Sequence, residues 1–178
     1  MVAAKFTSVS DLLDLRAIHA TWHLGPFAEV RVGDHVTRYV RRGTGPSVVL
    51  LAADIETNPI WVPLVESLTP GHRLFIPEPS VEGVHSVSCL RGFVEGIGLA
   101  GFTLVAGGAS AVSAFELATG EDFTVHKLVL ITSDGIPADR SDSRVFQARP
   151  EWTTAESMER ILEFVGSEGG NSSEFAGA

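Results

Sequence analysis

A single cysteine, Cys89, leaves this 178-residue chain without an internal disulfide, so a packed core rather than staples has to hold it. No apolar stretch approaches the ~20 residues that a membrane-spanning helix needs. The net charge is −9 and no basic run reverses it locally, which argues against a nucleic-acid groove. No lysine follows Gly107-Gly108, so the pair is not a phosphate loop. His19 and His23 share a helical spacing but have no third ligand nearby, and Trp22, Gly25 and Pro26 mark the end of that helix; neither a metal nor another cofactor is implied. The opening MVAAKFTSVSDLL has no apolar signal core, and with the lone cysteine this gives a cytoplasmic expectation. Lysine is scarce too, with two against eleven arginines, a bias that reads as the mark of a GC-rich genome.

What the chain does have is apolar: 44% of its residues, enough for a core in one domain of this length. The pattern divides into a single domain over residues 1–166 and a small, polar tail over 167–178 that is expected to be flexible. Residues 1–26 form a helical extension, in which Ser8 and Asp11 cap a helix with Leu12, Leu13, Leu15 and Ile18 on one side. Gly33-Asp34 divides two alternating runs, AEVRV and HVTRYV, which predicts a hairpin. Ser47-Val48-Val49-Leu50-Leu51 is continuously apolar, as a strand covered on both faces should be. Strand and helix signals then alternate: Trp61, Leu64 and Leu68 on a helix, His72 to Pro77 a strand, Leu104 to Ala118 a strand, turn and helix, and Val125 to Thr132 a strand. After Pro137 the segment ADRSDSRVFQARP reads as a connecting loop, and Trp152 to Val165 as an amphipathic helix.

The order of these elements resembles the α/β-hydrolase family over about residues 27–136. That family carries G-x-S-x-G on a strained strand-to-helix turn that lifts a serine hydroxyl above the sheet. Aligned without gaps through Glu116-Leu117-Ala118, the motif falls on Ala106-Gly107-Gly108-Ala109-Ser110, with Gly108 in the serine's place. The run ending at Leu51 continues as Ala52-Ala53-Asp54, where family members often have His-Gly; Glu78 stands where they often have Asp. The resemblance implies a truncated, mixed and mostly parallel sheet with helices on both faces, an α/β class. The family's triad has its acid and then its histidine after the nucleophile in chain order. No histidine follows His126 in this chain, so the resemblance implies a member lacking the hydrolytic triad.

Four residues are candidates for chemistry. Ser110 is the substitute nucleophile if the turn is two residues longer, and against this stands a serine in a first helical turn that satisfies a backbone group. Asp54 follows the carboxyl end of a strand, where open α/β sheets bind their ligands, or is a solvated loop carboxylate. His85, with Glu82 nearby, has the chemistry of an acid–base pair, or is a surface histidine. Glu78 belongs to the same set by position, and otherwise anchors the loop that follows it. Their strands should bring all four around one crevice.

Three functions follow, from different classes. The first is a repurposed enzyme that binds a small apolar metabolite and promotes cyclisation, elimination or isomerisation through positioning and proton transfer; bacterial specialised metabolism is the setting that fold analogy offers. The second is a non-catalytic binding or assembly module, and the third a residual hydrolase using Ser110. A homodimer is expected as well, because a sheet stopping after Val125–Thr132 would leave an open edge that a partner or the last helix would cover.

Overall fold

The computed structural model describes residues 27–33, 35–52, 60–78, 86–131, 142–148 and 154–167. Along them run β1 (Phe27–Val32), β2 (His35–Arg42), β3 (Ser47–Ala52), α1 (Trp61–Leu68), β4 (Arg73–Pro77), α2 (Val87–Gly96), β5 (Gly101–Gly107), α3 (Ser110–Thr119), β6 (Thr124–Ile131), β7 (Val145–Gln147) and α4 (Thr154–Gly166). The expected N-terminal helix, and the tail beyond Ser167, lie outside the described residues.

All seven strands form one sheet in the order β1-β2-β4-β3-β5-β6-β7. The β1–β2 hairpin pairs antiparallel and β2 joins β4 antiparallel. From β4 onward every pairing is parallel. The four segments predicted to share a sheet, Val48–Leu51, Leu74–Ile76, Leu104–Ala106 and Leu128–Ile131, do share it.

Hydrophobic patterning accounts for the central position of β3. Val48 to Leu51 are all buried, and successive side chains point to opposite faces, so both faces must be covered. Val48 and Leu50 pack into the layer of Trp61, Leu64, Leu68, Ile161 and Phe164, which belongs to α1 and α4. Val49 and Leu51 pack into the opposite layer, that of Leu90, Phe93, Ala111, Ala114 and Leu117 from α2 and α3. Helices on both faces are thus a consequence of an uninterrupted apolar strand, and among the described residues α1 and α4 cover one face and α2 and α3 the other.

Local chemistry sets the helix ends. Pro63 sits in the first turn of α1, where the missing N–H costs no intrahelical bond. Ser86 caps α2, its Oγ accepting from the Cys89 N–H at 3.3 Å. The turn between β2 and β3 lies against the turn between α1 and β4. A Cβ on Gly43, at φ +76°, would collide with the His72 and Thr69 carbonyl oxygens, so only glycine fits there.

One expectation is corrected. Val145–Gln147, inside the segment read as a connecting loop, is a strand parallel to β6. Pairing, not local propensity, makes it one: the Leu128 N–H donates to the Arg144 carbonyl at 2.7 Å, and the Ala148 N–H to the Leu130 carbonyl at 2.8 Å. α4 then covers the sheet of its own chain, with Ile161, Phe164 and Val165 buried in the first layer.

Candidate functional site

The parallel strands end together at Ala52, Pro77, Gly107 and Ile131, along a common edge of the sheet. In open α/β sheets this carboxyl edge is where ligands bind.

The turn at the end of β5 carries the clearest geometry. Gly108 follows β5 directly at φ +58°. Ala109 is already right-handed helical, at φ −61° and ψ −20°, and Ser110 begins α3. The Ala111 N–H closes the turn on the Gly108 carbonyl at 3.1 Å. A strand is thus converted into a helix through one left-handed residue, a conformation that costs a residue with a Cβ roughly 1–2 kcal/mol. The sharp turn of the hydrolase elbow is present, and its left-handed residue is the one that the ungapped alignment puts in the serine's place. Glycine relieves the strain there and brings no nucleophile.

Ser110, two residues on, is buried at 2% exposure in the first turn of α3. It is on the helix whose Ala111, Ala114 and Leu117 pack into one layer with Leu128 and Leu130 of β6.

Glu78 follows β4 and is tied to β2 twice. Its N–H donates to the Arg38 carbonyl at 2.8 Å, and its carboxylate lies 3.5 Å from the Arg38 guanidinium. That guanidinium is itself seated over the Phe27 ring, 4.1 Å from its centroid. Alternation along β4 puts Ile76, and Glu78 after it, on the α1/α4 side of the sheet. Ser110 belongs to the other side. The strands that precede these two residues, β4 and β5, are separated by β3 and lie about 10 Å apart at ~4.8 Å per step. Asp54 and His85 lie outside the described residues, as does Glu82.

Sequence reasoning missed Arg38, the partner of Glu78, because β2 reads as an edge hairpin strand whose polar residues face water; the Arg38–Glu78 contact exists only once β2 pairs with β4. It also missed Lys127, buried at 7% exposure on β6. Burial holds its ammonium below the ordinary lysine pKa, since desolvation disfavours the charged form. Among the described residues no three His, Cys, Asp or Glu side chains are grouped as a metal site. No helix among them is long and apolar enough to cross a membrane.

No protein-family model and no curated protein matches the sequence. Solved structures do. A lipase-like protein from Acinetobacter baumannii AYE is 21% identical, with a TM-score of 0.55 over 77% of this chain and 50% of that one. The epoxide hydrolase VrEH1 from Vigna radiata is 14% identical, with a TM-score of 0.52 over 79% of this chain and 47% of that one. A bacterial membrane phospholipase A is 16% identical, with a TM-score of 0.54 over 87% and 56%. The chain therefore spans about half the length of the structures it matches. Sheet order, elbow and structural likeness together give this chain the α/β-hydrolase fold.

Proposed function

We propose that this chain uses the crevice at the carboxyl edge of its parallel strands to bind a small apolar molecule and to promote a step that needs no covalent nucleophile: cyclisation, elimination or isomerisation. The observation that carries the reading is Gly108. The elbow keeps its left-handed backbone, yet the residue at its apex has no side chain to attack with. The strand ends around the crevice, Ala52, Pro77, Gly107 and Ile131, are apolar, which suits an apolar ligand. In this reading Asp54 and His85 carry protons, and Glu78, held by Arg38, shapes the rim.

Hydrolysis through Ser110 is disfavoured by its burial, because a nucleophile has to reach the carbonyl carbon it attacks. The test is an activated ester together with a serine-directed fluorophosphonate. Neither turnover nor labelling is expected. Rapid turnover that Ser110→Ala abolishes overturns the proposal and makes the protein a hydrolase. Native mass spectrometry of the gently isolated protein separates the enzyme from a bare assembly module: a bound metabolite of defined mass is expected, and Asp54→Asn or His85→Asn should abolish turnover of the substrate so identified while leaving the fold intact. The same reading includes a homodimer through β1, one of the two terminal strands of the sheet among the described residues, since α4 is engaged within its own chain. A single-chain mass in light scattering at all concentrations removes the dimer.

A further inference from the structure

The buried Lys127 does not belong to the crevice, and its contacts give it a different task. It lies in β6, between Val125 and the core run Leu128–Ile131, where a charge finds no partner on its own strand. Its partners come from 37 to 40 residues further on. The Nζ donates to the Phe164 carbonyl at 2.7 Å and to the Val165 carbonyl at 3.0 Å. It also contacts the Ser167 carbonyl, and the Ser167 Oγ lies at 3.2 Å. The Phe164 ring centroid is 5.5 Å away.

These carbonyls close the last turn of α4. The final four C=O groups of a helix have no partner within it, and they form the negative end of its dipole. Helices commonly solve this with a glycine turn or with a basic side chain in their own last turn. Here α4 has no basic residue in its last turn. The sheet supplies the cation instead. Ser167 reinforces the arrangement, its Oγ donating to the Phe164 carbonyl at 2.8 Å. α4 also presents an apolar stripe of Ile161, Phe164 and Val165, with Met158 and Leu162 packed against the same layer and the Phe146–Phe164 ring contact at 5.4 Å. That stripe belongs entirely to the α1/α4 layer. The sheet itself separates it from α2 and α3.

We propose that Lys127 is a positioning residue that latches α4 to β6, and that α4 with its latch is a separately opening cover over the Phe146 and Ile131 side of the sheet. Opening it leaves the α2/α3 layer closed. The physical reason is the division of contacts: one side chain of β6 reaches the Phe164, Val165 and Ser167 carbonyls at the end of α4, and these groups lie on the sheet face opposite the elbow layer. Removing the donors while α4 stays docked would strand several carbonyls, a penalty greater than the worth of the bonds themselves.

Native-state hydrogen exchange, read by mass spectrometry on the full chain at pH 7, tests this. Lys127→Met keeps the aliphatic stem and removes the donors. Exchange in α4 should accelerate at least tenfold while β5 and α3 exchange as in the unaltered protein, and Lys127→Arg should restore much of the protection. Equal acceleration in α4 and α3 would show that Lys127 supports only global stability, and no change in α4 would show that it fastens nothing. Both overturn the proposal. Should Lys127→Met fail to fold, the unaltered protein in increasing sub-denaturing urea decides: α4 opening before α3 supports the cover, and one common opening overturns it.

Discussion

Two helices cover β6 from opposite faces and do it by opposite means. On one face α3 meets Leu128 and Leu130 with Ala111, Ala114, Leu117 and Ala118, a face of mostly small side chains that brings helix and sheet backbones close. On the other, α4 meets Val129 and Ile131 with Ile161, Phe164 and Val165, a face of large side chains, and adds a buried ammonium at its end. α3 must sit close because it leaves the sheet through a one-residue elbow at Gly108, which allows it no separate position. α4 reaches its place after a strand and a further stretch of chain, so side chains have to define where it stops. A backbone-determined interface should resist enlargement, and a side-chain-determined one should suffer from truncation.

The largest effect should therefore come from truncation on the α4 side. Phe164 is fully buried and stacks obliquely on Phe146 at 5.4 Å. Phe164→Ala removes that contact and leaves a cavity, with an expected loss of about 3–5 kcal/mol. Urea unfolding followed by circular dichroism measures it. A loss below about 1 kcal/mol would mean that the layer collapses around the gap and that large side chains do not define the α4 seat.

On the α3 side the sensitive change is growth. Ala114 is fully buried in the middle of that helix, against the layer of Leu128 and Leu130. Ala114→Leu is expected to cost about 1–3 kcal/mol through overpacking, although leucine ranks just below alanine as a helix former. A neutral outcome in the same urea titration would remove the contrast between the two helices.

This division was partly legible in the sequence, and the limit has a physical cause. The hairpin, the double-faced strand at Val48–Leu51 and the elbow at Gly108 are encoded in contiguous residues, as alternation, an apolar run and a glycine at the required place. β7 was not legible, because three residues with one buried side chain carry no period, and β6 is what makes them a strand. Lys127 reads as a solvated strand residue until the end of α4 arrives beside it. Of the candidate site, the sequence puts Ser110 beside the start of a helix and Glu78 after its strand, but the hold of Arg38 on Glu78 is tertiary. Asp54 and His85 lie on segments outside the described residues.

A smaller effect is expected at the elbow. Gly108→Ala puts a Cβ on a residue at φ +58°, at a cost of about 1–2 kcal/mol. Gly108→Ser should cost about the same and return a hydroxyl to the apex of the turn. Ester turnover should stay at background in that variant if proton transfer at the crevice is not arranged for a serine nucleophile. Thermal unfolding and an activated-ester assay read the two halves of the prediction. A stabilising Gly108→Ala would show that the turn is not left-handed in solution.

The smallest effect distinguishes the ammonium from its stem. Burial holds the Lys127 pKa below its ordinary value near 10.5, so in the folded protein the proton leaves at a lower pH than in the unfolded chain. Between the lowered folded pKa and about 10.5 the unfolded state binds more protons, and stability contributed by this group rises with pH. Below the folded pKa both states are protonated and the contribution is flat, at its least favourable level. The comparison with Lys127→Met isolates the group, because arginines stay charged across the window and other groups titrate in both proteins alike. Urea midpoints taken from neutral to alkaline pH should therefore climb for the unaltered protein relative to Lys127→Met. A relative fall over the same window would mean that the α4 carbonyls outweigh desolvation and raise the pKa, making the charge itself, rather than the donors and the stem, the dominant hold on that helix.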